Sequence, residues 1–252
     1  MIILVSPAKS LDLSTPFQEQ PRAPRFAAEA NRLARAAAKL GAARLGELMH
    51  ISPQLAELNA ARFKTFAAAE ERPAIRTFAG DVYRGFDAAS ADEATLEYAQ
   101  AHLRILSGLY GVLRPFDGIR PYRLEMGTRW SPKDDSLTDF WGTKVARAVL
   151  SDLREDGSGT LLNLASNEYF AAVGPHLPKR GIRVIAPDFR VRTAKGMQFQ
   201  SFVAKVARGT MARWVCEERI AEPSALPSFD VGGWRHQPEG STDDRPLFVR
   251  SA

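Results

Sequence analysis

Apolar and polar positions recur along this chain with two different periods, and the changes of period mark its elements. Residues 1–6, MIILVS, begin with an unbroken apolar run. Such a run predicts a strand buried on both faces. It ends in the turn Ser6-Pro7-Ala8-Lys9. Residues 14–25 contain Pro16, Pro21 and Pro24 and are predicted to be extended connector. Residues 26–40 set Phe26, Leu33 and Leu40 on one stripe, with Arg32, Arg35 and Lys39 off it. That pattern predicts an amphipathic helix stopped by Gly41. Residues 43–66 predict two helices joined by a tight turn at 50–52. Ser52 is placed to cap the second helix and Pro53 to occupy its first position.

Further along, residues 74–79 predict a strand, and the glycines that bracket 80–85 predict a shaped loop. Residues 92–106 align Leu96, Ala99, Leu103 and Leu106 on one helical face. Residues 138–154 predict a helix buried through Phe140, Val145, Val149 and Leu153. Strands are predicted at 160–166 and 182–186, an edge strand at 197–203 and a helix at 205–220. The tail 222–252 has little periodicity. Its Phe229, Trp234 and the apolar run at 247–249 predict that it packs back on the body.

Strands interleaved with helices predict an α/β (α+β) fold, a mixed β-sheet flanked by helices in a non-standard topology. Neither a linker nor a repeat interrupts the chain, so residues 1–252 are expected to form a single domain with a weakly defined tail.

Residues 103–127 carry the densest chemistry. They hold four glycines, two prolines, two tyrosines and four arginines around Asp117 and Glu125. Glycine permits and proline freezes backbone shapes, so a stiff irregular loop is predicted, presenting Arg114, Arg120 and Arg123. Guanidinium groups held at fixed angles suit phosphate or carboxylate. Lys9 is a further candidate, because ligands of open α/β sheets gather at strand carboxyl ends.

Composition is ordinary for a globular chain, with 45% hydrophobic and 25% charged residues. No apolar run approaches the ~20 residues that span a bilayer, and the amino terminus reads as a strand, not a signal peptide. No membrane partner is expected. The single cysteine, Cys216, excludes an internal disulfide framework and fits a reducing cytoplasm. It lies in a helical pattern beside Trp214 and Val215, which reads as a packed thiol. The net charge of +5 is regional: residues 179–219 contain ten Lys/Arg against three Asp/Glu. A regional basic field attracts polyanions; a solvated basic face is the plainer alternative.

The helix pair at 43–66 is similar to a helix-hairpin-helix, which holds a DNA phosphate with hairpin amides and a helix N-terminus. His50 and Ser52 would form its turn, with Arg62 and Lys64 nearby. The turn contains no glycine, so an ordinary pair of packed helices is the competing reading. The four histidines are scattered without metal-ligand spacing, and no metal or other cofactor is expected.

Several separated motifs resemble the YaaA family of peroxide-stress proteins. They are ILVSPAKSLD at 3–12, LMHISPQLAELNAARF at 48–63, FAGDVYRG at 78–85, HLRILSGLYGVLRPFDGIRPYRLEMG at 102–127, LLNLASNEYF at 161–170 and FVAKVARGTMARW at 202–214. The resemblance runs through about residues 1–220. It implies a cytoplasmic bacterial protein of unusual α/β topology. It also implies survival of hydrogen peroxide by keeping unincorporated iron low, and binding of duplex DNA through a positive cleft and a helix-hairpin-helix-like element.

Two functional readings follow. In the first, double-stranded DNA is bound through Lys9, Arg104, Arg114, Arg123, Lys205, Arg208 and Arg213, joined by His50, Ser52, Arg62 and Lys64. Tyr83, Tyr110 and Tyr122 would stack on a base. In the second, the same cleft belongs to an enzyme acting on a nucleotide or another phosphorylated small molecule, with Asp81, Asp117 and Glu125 as catalytic candidates and these acids and Glu168 close to its arginines. The plain alternative is that these acids only orient the arginines. The oligomeric state is not legible.

Overall fold

The computed structural model describes residues 1–251. A five-stranded sheet forms its centre. Strand β1 (Ile2–Val5) lies in the middle, buried along its whole length. On one side it pairs in parallel with β2 (Leu103–Ser107), which pairs antiparallel with β3 (Gly111–Leu113). On the other side it pairs in parallel with β4 (Thr160–Leu164), followed in parallel by β5 (Arg183–Ile185). The order is therefore β3-β2-β1-β4-β5. The chain builds outward from β1 to β3, then crosses back to add β4 on the opposite side. That reversal makes a topological switch point at the carboxyl end of β1, where open α/β sheets bind ligands.

A second sheet of four strands has no counterpart in the sequence-based expectation beyond its edge. It comprises β6 (Asp188–Thr193), β7 (Gly196–Gln198), β8 (Arg235–Thr242) and β9 (Arg245–Ser251), in the order β7-β6-β9-β8. The tail does pack back, but as the hairpin β8–β9 (joined antiparallel) with β9 parallel to β6. Phe189, Phe229, Trp234 and Phe248 interlock beneath this sheet with rings 5.1–6.4 Å apart. One hydrophobic cluster connects Met1 to Phe248.

The α-helices of five or more residues are α1 (Ala27–Ala37), α2 (Gly41–Met49), α3 (Pro53–Lys64), α4 (Asp81–Phe86), α5 (Glu93–His102), α6 (Leu137–Trp141), α7 (Lys144–Asp156) and α8 (Ser201–Glu217). Helices α2 and α3 form the expected pair. Ser52 adopts an extended backbone and its hydroxyl accepts from the Leu55 amide. His50 ends α2 at φ 51°, a left-handed conformation more often given to glycine.

Five expectations are corrected. The helix predicted over 92–106 stops at His102, and Leu103–Ser107 is the strand β2. All five of those side chains are buried, so pairing with β1 outweighs a helical stripe that fits equally well. The stiff loop predicted to begin at 103 therefore opens with a β-hairpin. The strand predicted at 74–79 is one helical turn, Ala74–Thr77, then a two-residue bridge of Phe78–Ala79 to Ser10–Leu11. The shaped loop at 80–85 is helix α4. An added Cβ at Gly85 would sit 2.1 Å from the Val206 carbonyl oxygen, and one at Gly209 would sit 1.8 Å from that of Val82. The two glycines let α4 and α8 cross backbone to backbone. Finally, the edge strand predicted at 197–203 ends at Gln198, and α8 begins at Ser201.

Candidate functional site

The carboxyl ends of β1, β2 and β4 each lie within two residues of a serine: Ser6, Ser107 and Ser166. The Ser166 amide donates to Ser6 Oγ at 2.9 Å, closing the switch point between β1 and β4. Residues 122–127 lie across these ends as a strap. Gly108 explains why the strap fits: a Cβ there would lie 2.3 Å from the Leu124 carbonyl oxygen.

The strap presents its charges to the β1 turn. Glu125 Oε1 accepts from Arg123 Nε at 3.1 Å and stands 3.2 Å from Lys9 Nζ. The Arg123 and Glu125 side chains are about five-sixths covered, whereas that of Lys9 is 62% exposed. Glu168, on the single turn Asn167–Phe170 after β4, accepts from the Gly127 amide at 3.0 Å. Gly80 abuts Ala8, which brings Asp81 beside the same turn. Lys9, Asp81, Arg123, Glu125 and Glu168 are thus gathered at one edge of the sheet.

Beneath them lies a floor of tyrosines. Tyr122 shares a 2.6 Å hydrogen bond with Ser107, Tyr83 donates to the Ser6 carbonyl at 3.1 Å, and the Arg120 amide donates to the Tyr110 hydroxyl at 3.0 Å. Tyr110 and Tyr122 meet edge to face at 5.5 Å. Burial raises the pKa of all three phenols above the usual range. The expectation that they stack on an exposed base is corrected on this point: their rings are core, and only the strap above them meets solvent.

A groove of about 410 Å³ runs from this edge to the helix pair. Arg44, Glu47 and His50 line one side; Glu125, Arg129 and Glu168 line the other. The turn of the helix pair therefore borders the switch-point site. Arg62 and Lys64 do not, because they close α3 about 15 Å along its axis from that turn.

A second charged cluster occupies the opposite, amino-terminal edge of the sheet. The Asp152 carboxylate on α7 is buried and takes three guanidinium groups. Arg104 Nε lies 2.6 Å from Oδ2, while Arg25 and Arg114 reach Oδ1 at 2.7 and 3.0 Å. Those contacts hold Asp152 below the usual carboxylate range despite the opposing effect of burial. Asp117 lines the same cleft. Burial raises it from 3.8 to about 6, opposed by the Arg114 amide, which donates to it at 2.9 Å.

The expected single basic wall is therefore corrected to two separate edges. Arg104, Arg114 and Asp117 stand at the amino ends of the strands. Lys9, Arg123 and Glu125 stand at the carboxyl ends. The physical reason is strand direction: β3 runs antiparallel to β2 and returns Arg114 to the edge where β2 begins. The α8 cations disperse further. Lys205 is exposed, and Arg208 is half-buried near Asp188, with its pKa lowered by desolvation. Arg213 donates to the carbonyls of Phe86 and Asp87 and pairs with Glu217 at 2.7 Å.

Sequence reasoning missed Asp152 and Arg25. A signal for Asp152 existed: it falls on the apolar stripe of Val145, Val149 and Leu153, where a carboxylate requires a partner. The thiol of Cys216 is fully buried and pushed up to about 12 by desolvation. Among the described residues, no cluster of His, Cys, Asp and Glu could hold a metal ion, and no helix is long and apolar enough to cross a membrane.

A family model described as peroxide stress protein YaaA matches residues 1–240. A UPF0246 protein of Rhizorhabdus wittichii is 52% identical over 253 residues, covering all of both chains. A UPF0246 protein of Jannaschia sp. is 47% identical, covering all of this chain and 97% of the relative. Another, from Caulobacter vibrioides, is 44% identical over 99% of each. With a match of this length and relatives this similar end to end, the chain belongs to the YaaA family of peroxide stress proteins.

Proposed function

We propose that this protein serves peroxide defence in the cytoplasm by keeping unincorporated iron low and by engaging duplex DNA at the carboxyl edge of its central sheet. Family membership supports the stress role. The observation that carries the DNA reading is the meeting of the helix-pair turn and the switch-point strap in one groove. The turn offers an exposed, Ser52-capped helix N-terminus, which favours a phosphate. An exposed cation, Lys9, stands at the same edge.

Fluorescence anisotropy with a short duplex tests this reading. Affinity is expected to fall with salt, with a log–log slope of about −0.9 for each phosphate neutralised. Affinity that stays level between low and moderate salt would sink the phosphate reading. The iron role is tested separately, by electron paramagnetic resonance of chelatable iron in cells lacking the protein. A level equal to that of the parent under peroxide removes it.

One observation favours a second reading, an enzyme acting on a nucleotide or another phosphorylated small molecule. Groove and strap together are nearly charge-balanced: Glu47, Glu125 and Glu168 face Arg44, Arg129, Lys9 and Arg123. A polyanion has little use for those carboxylates, whereas proton transfer needs one beside a cation. Calorimetry with a nucleotide panel separates the two. Tight mononucleotide binding with negligible duplex affinity selects the enzyme.

A further inference from the structure

The amino-edge cleft has a charge pattern that internal pairing does not exhaust. Its volume is about 350 Å³, and it is lined by Arg22, Arg25, Arg104 and Arg114 against Asp117 and Asp152. Four guanidinium groups thus face two carboxylates. Asp152 is shared by three of them, two on Oδ1 and one on Oδ2. Arg104 is sealed beneath the others. The side chains of Arg25 and Arg114, by contrast, are about one-third exposed. Each spends one Nη on Asp152, and Arg25 gives its other Nη to the Ala148 carbonyl at 3.0 Å; a guanidinium has five N–H donors, so both forks keep donors to spare. Arg22 makes no ion pair among the described residues and rests on the Phe116 ring at 5.6 Å. The nearest other acid, Glu155, is exposed and 3.7 Å from Arg114.

We propose that this cleft is a second ligand site, one that takes a small free phosphate or phosphomonoester between Arg22, Arg25 and Arg114. Asp152 acts there as a positioning residue. It fixes Arg25 and Arg114 on one oxygen, which holds the two guanidinium groups side by side, and planar forks held in this way match tetrahedral oxyanions. The Arg104–Asp152 pair, itself buried, gives the site a rigid back wall. The cleft lies at the edge away from the groove, separated by the length of a five-residue strand, about 16 Å. A small anion bound here leaves the switch-point groove free. The assignment stands independently of the DNA reading, because none of its three ligand-facing arginines lines that groove.

The test is calorimetry and thermal denaturation of the full chain with inorganic phosphate, against chloride at matched ionic strength, and with a short duplex in a separate arm. Phosphate is expected to bind and to raise the melting temperature. Arg22→Met and Arg114→Gln are each expected to weaken phosphate by about tenfold, the worth of one charge-assisted hydrogen bond, with duplex affinity unchanged. Arg22→Met removes no ion pair, so it remains informative if Arg114→Gln fails to fold. Failure of phosphate to bind or stabilise overturns the proposal, as does binding that both variants leave intact. Parallel loss of phosphate and duplex affinity would assign the cleft to a nucleic-acid backbone and overturn the free-ligand reading.

Discussion

Lys9 Nζ lies 3.2 Å from Glu125 Oε1, tying the turn after the central strand to the strap that crosses the strand ends. The same oxygen is 3.0 Å from Arg123 Nη2. One carboxylate therefore restrains two cations at the place where a ligand would enter. Glu125→Gln is expected to release both. Duplex affinity should rise, and Lys9→Ala should lower it and reduce the magnitude of the salt slope by about 1. Lys9→Ala should change stability by no more than about 1 kcal/mol, because an exposed lysine pair contributes little. If the site is catalytic instead, Glu125→Gln abolishes turnover while substrate still binds, which single-turnover assays would detect.

The crossing of α4 and α8 rests on two glycines whose missing side chains are replaced by backbone. Gly209→Ala would force a methyl to within 1.8 Å of the Val82 carbonyl oxygen. Backbone cannot rotate away as a side chain can. The helices must separate, at a cost of about 3 kcal/mol, read by urea denaturation. Because α4 carries Asp81 and Tyr83, the shift should also loosen the tyrosine floor, visible in near-ultraviolet circular dichroism.

This crossing also marks what could be read from the chain. The apolar run at 1–6 and the leucine-rich TLLNLAS at 160–166 read as buried strands, because each is shorter than an ordinary helix. The pair α2–α3 is legible from Ser52-Pro53 alone. The segment 103–107 is not, since its leucines satisfy both a helical stripe and a buried strand, and only the presence of β1 decides between them. Gly85 reads as part of a loop until α4 and α8 are brought together. For the site, the residue types in 103–127 were readable but their separation was not: the reversal at Gly111 sends Arg114 and Arg123 to opposite edges, and a reversal is invisible in composition.

Asp152 anchors the amino edge, and its removal should be severe. Asp152→Ala leaves Arg25, Arg104 and Arg114 facing one another, with Arg104 buried. Loss of one partner from a buried ion pair typically costs about 3–5 kcal/mol. Asp152→Asn keeps the shape but loses the charge and should fall between. Equilibrium urea denaturation measures both, and added phosphate should restore part of the loss by supplying the missing negative charge.

Asp117 should impose a pH dependence of unusual sign for a carboxylate. Its pKa is raised by burial from 3.8 to about 6 in the folded chain. The folded state therefore holds the proton more tightly than the unfolded state. Its contribution is fully present below pH 4, declines as pH rises from about 4 to about 6, and stays lost above that. A shift of this size corresponds to about 3 kcal/mol at most. Asp117→Asn keeps an acceptor for the Arg114 amide and removes the ionisation. The stability difference between variant and parent should grow in the variant's favour across that window. A variant less stable than the parent at pH 7.5 would mean that the ionised form is needed by the arginines around it.

A peroxide-stress protein invites the question of whether its own thiol senses the oxidant. Cys216 is the single cysteine, and it is wholly buried on α8 with its pKa pushed up to about 12. Oxidation by peroxide needs thiolate and access, and this site denies both. The native chain should therefore resist Ellman's reagent and hydrogen peroxide, reacting only as fast as it unfolds. Urea should expose one thiol per chain in a transition that coincides with loss of helicity. Cys216→Ala should survive peroxide challenge in cells as the parent does, at a stability cost of about 1 kcal/mol for the small void it leaves. A peroxide-sensitive phenotype at undiminished stability would instead make this cysteine part of the defence, with α8 opening to admit the oxidant.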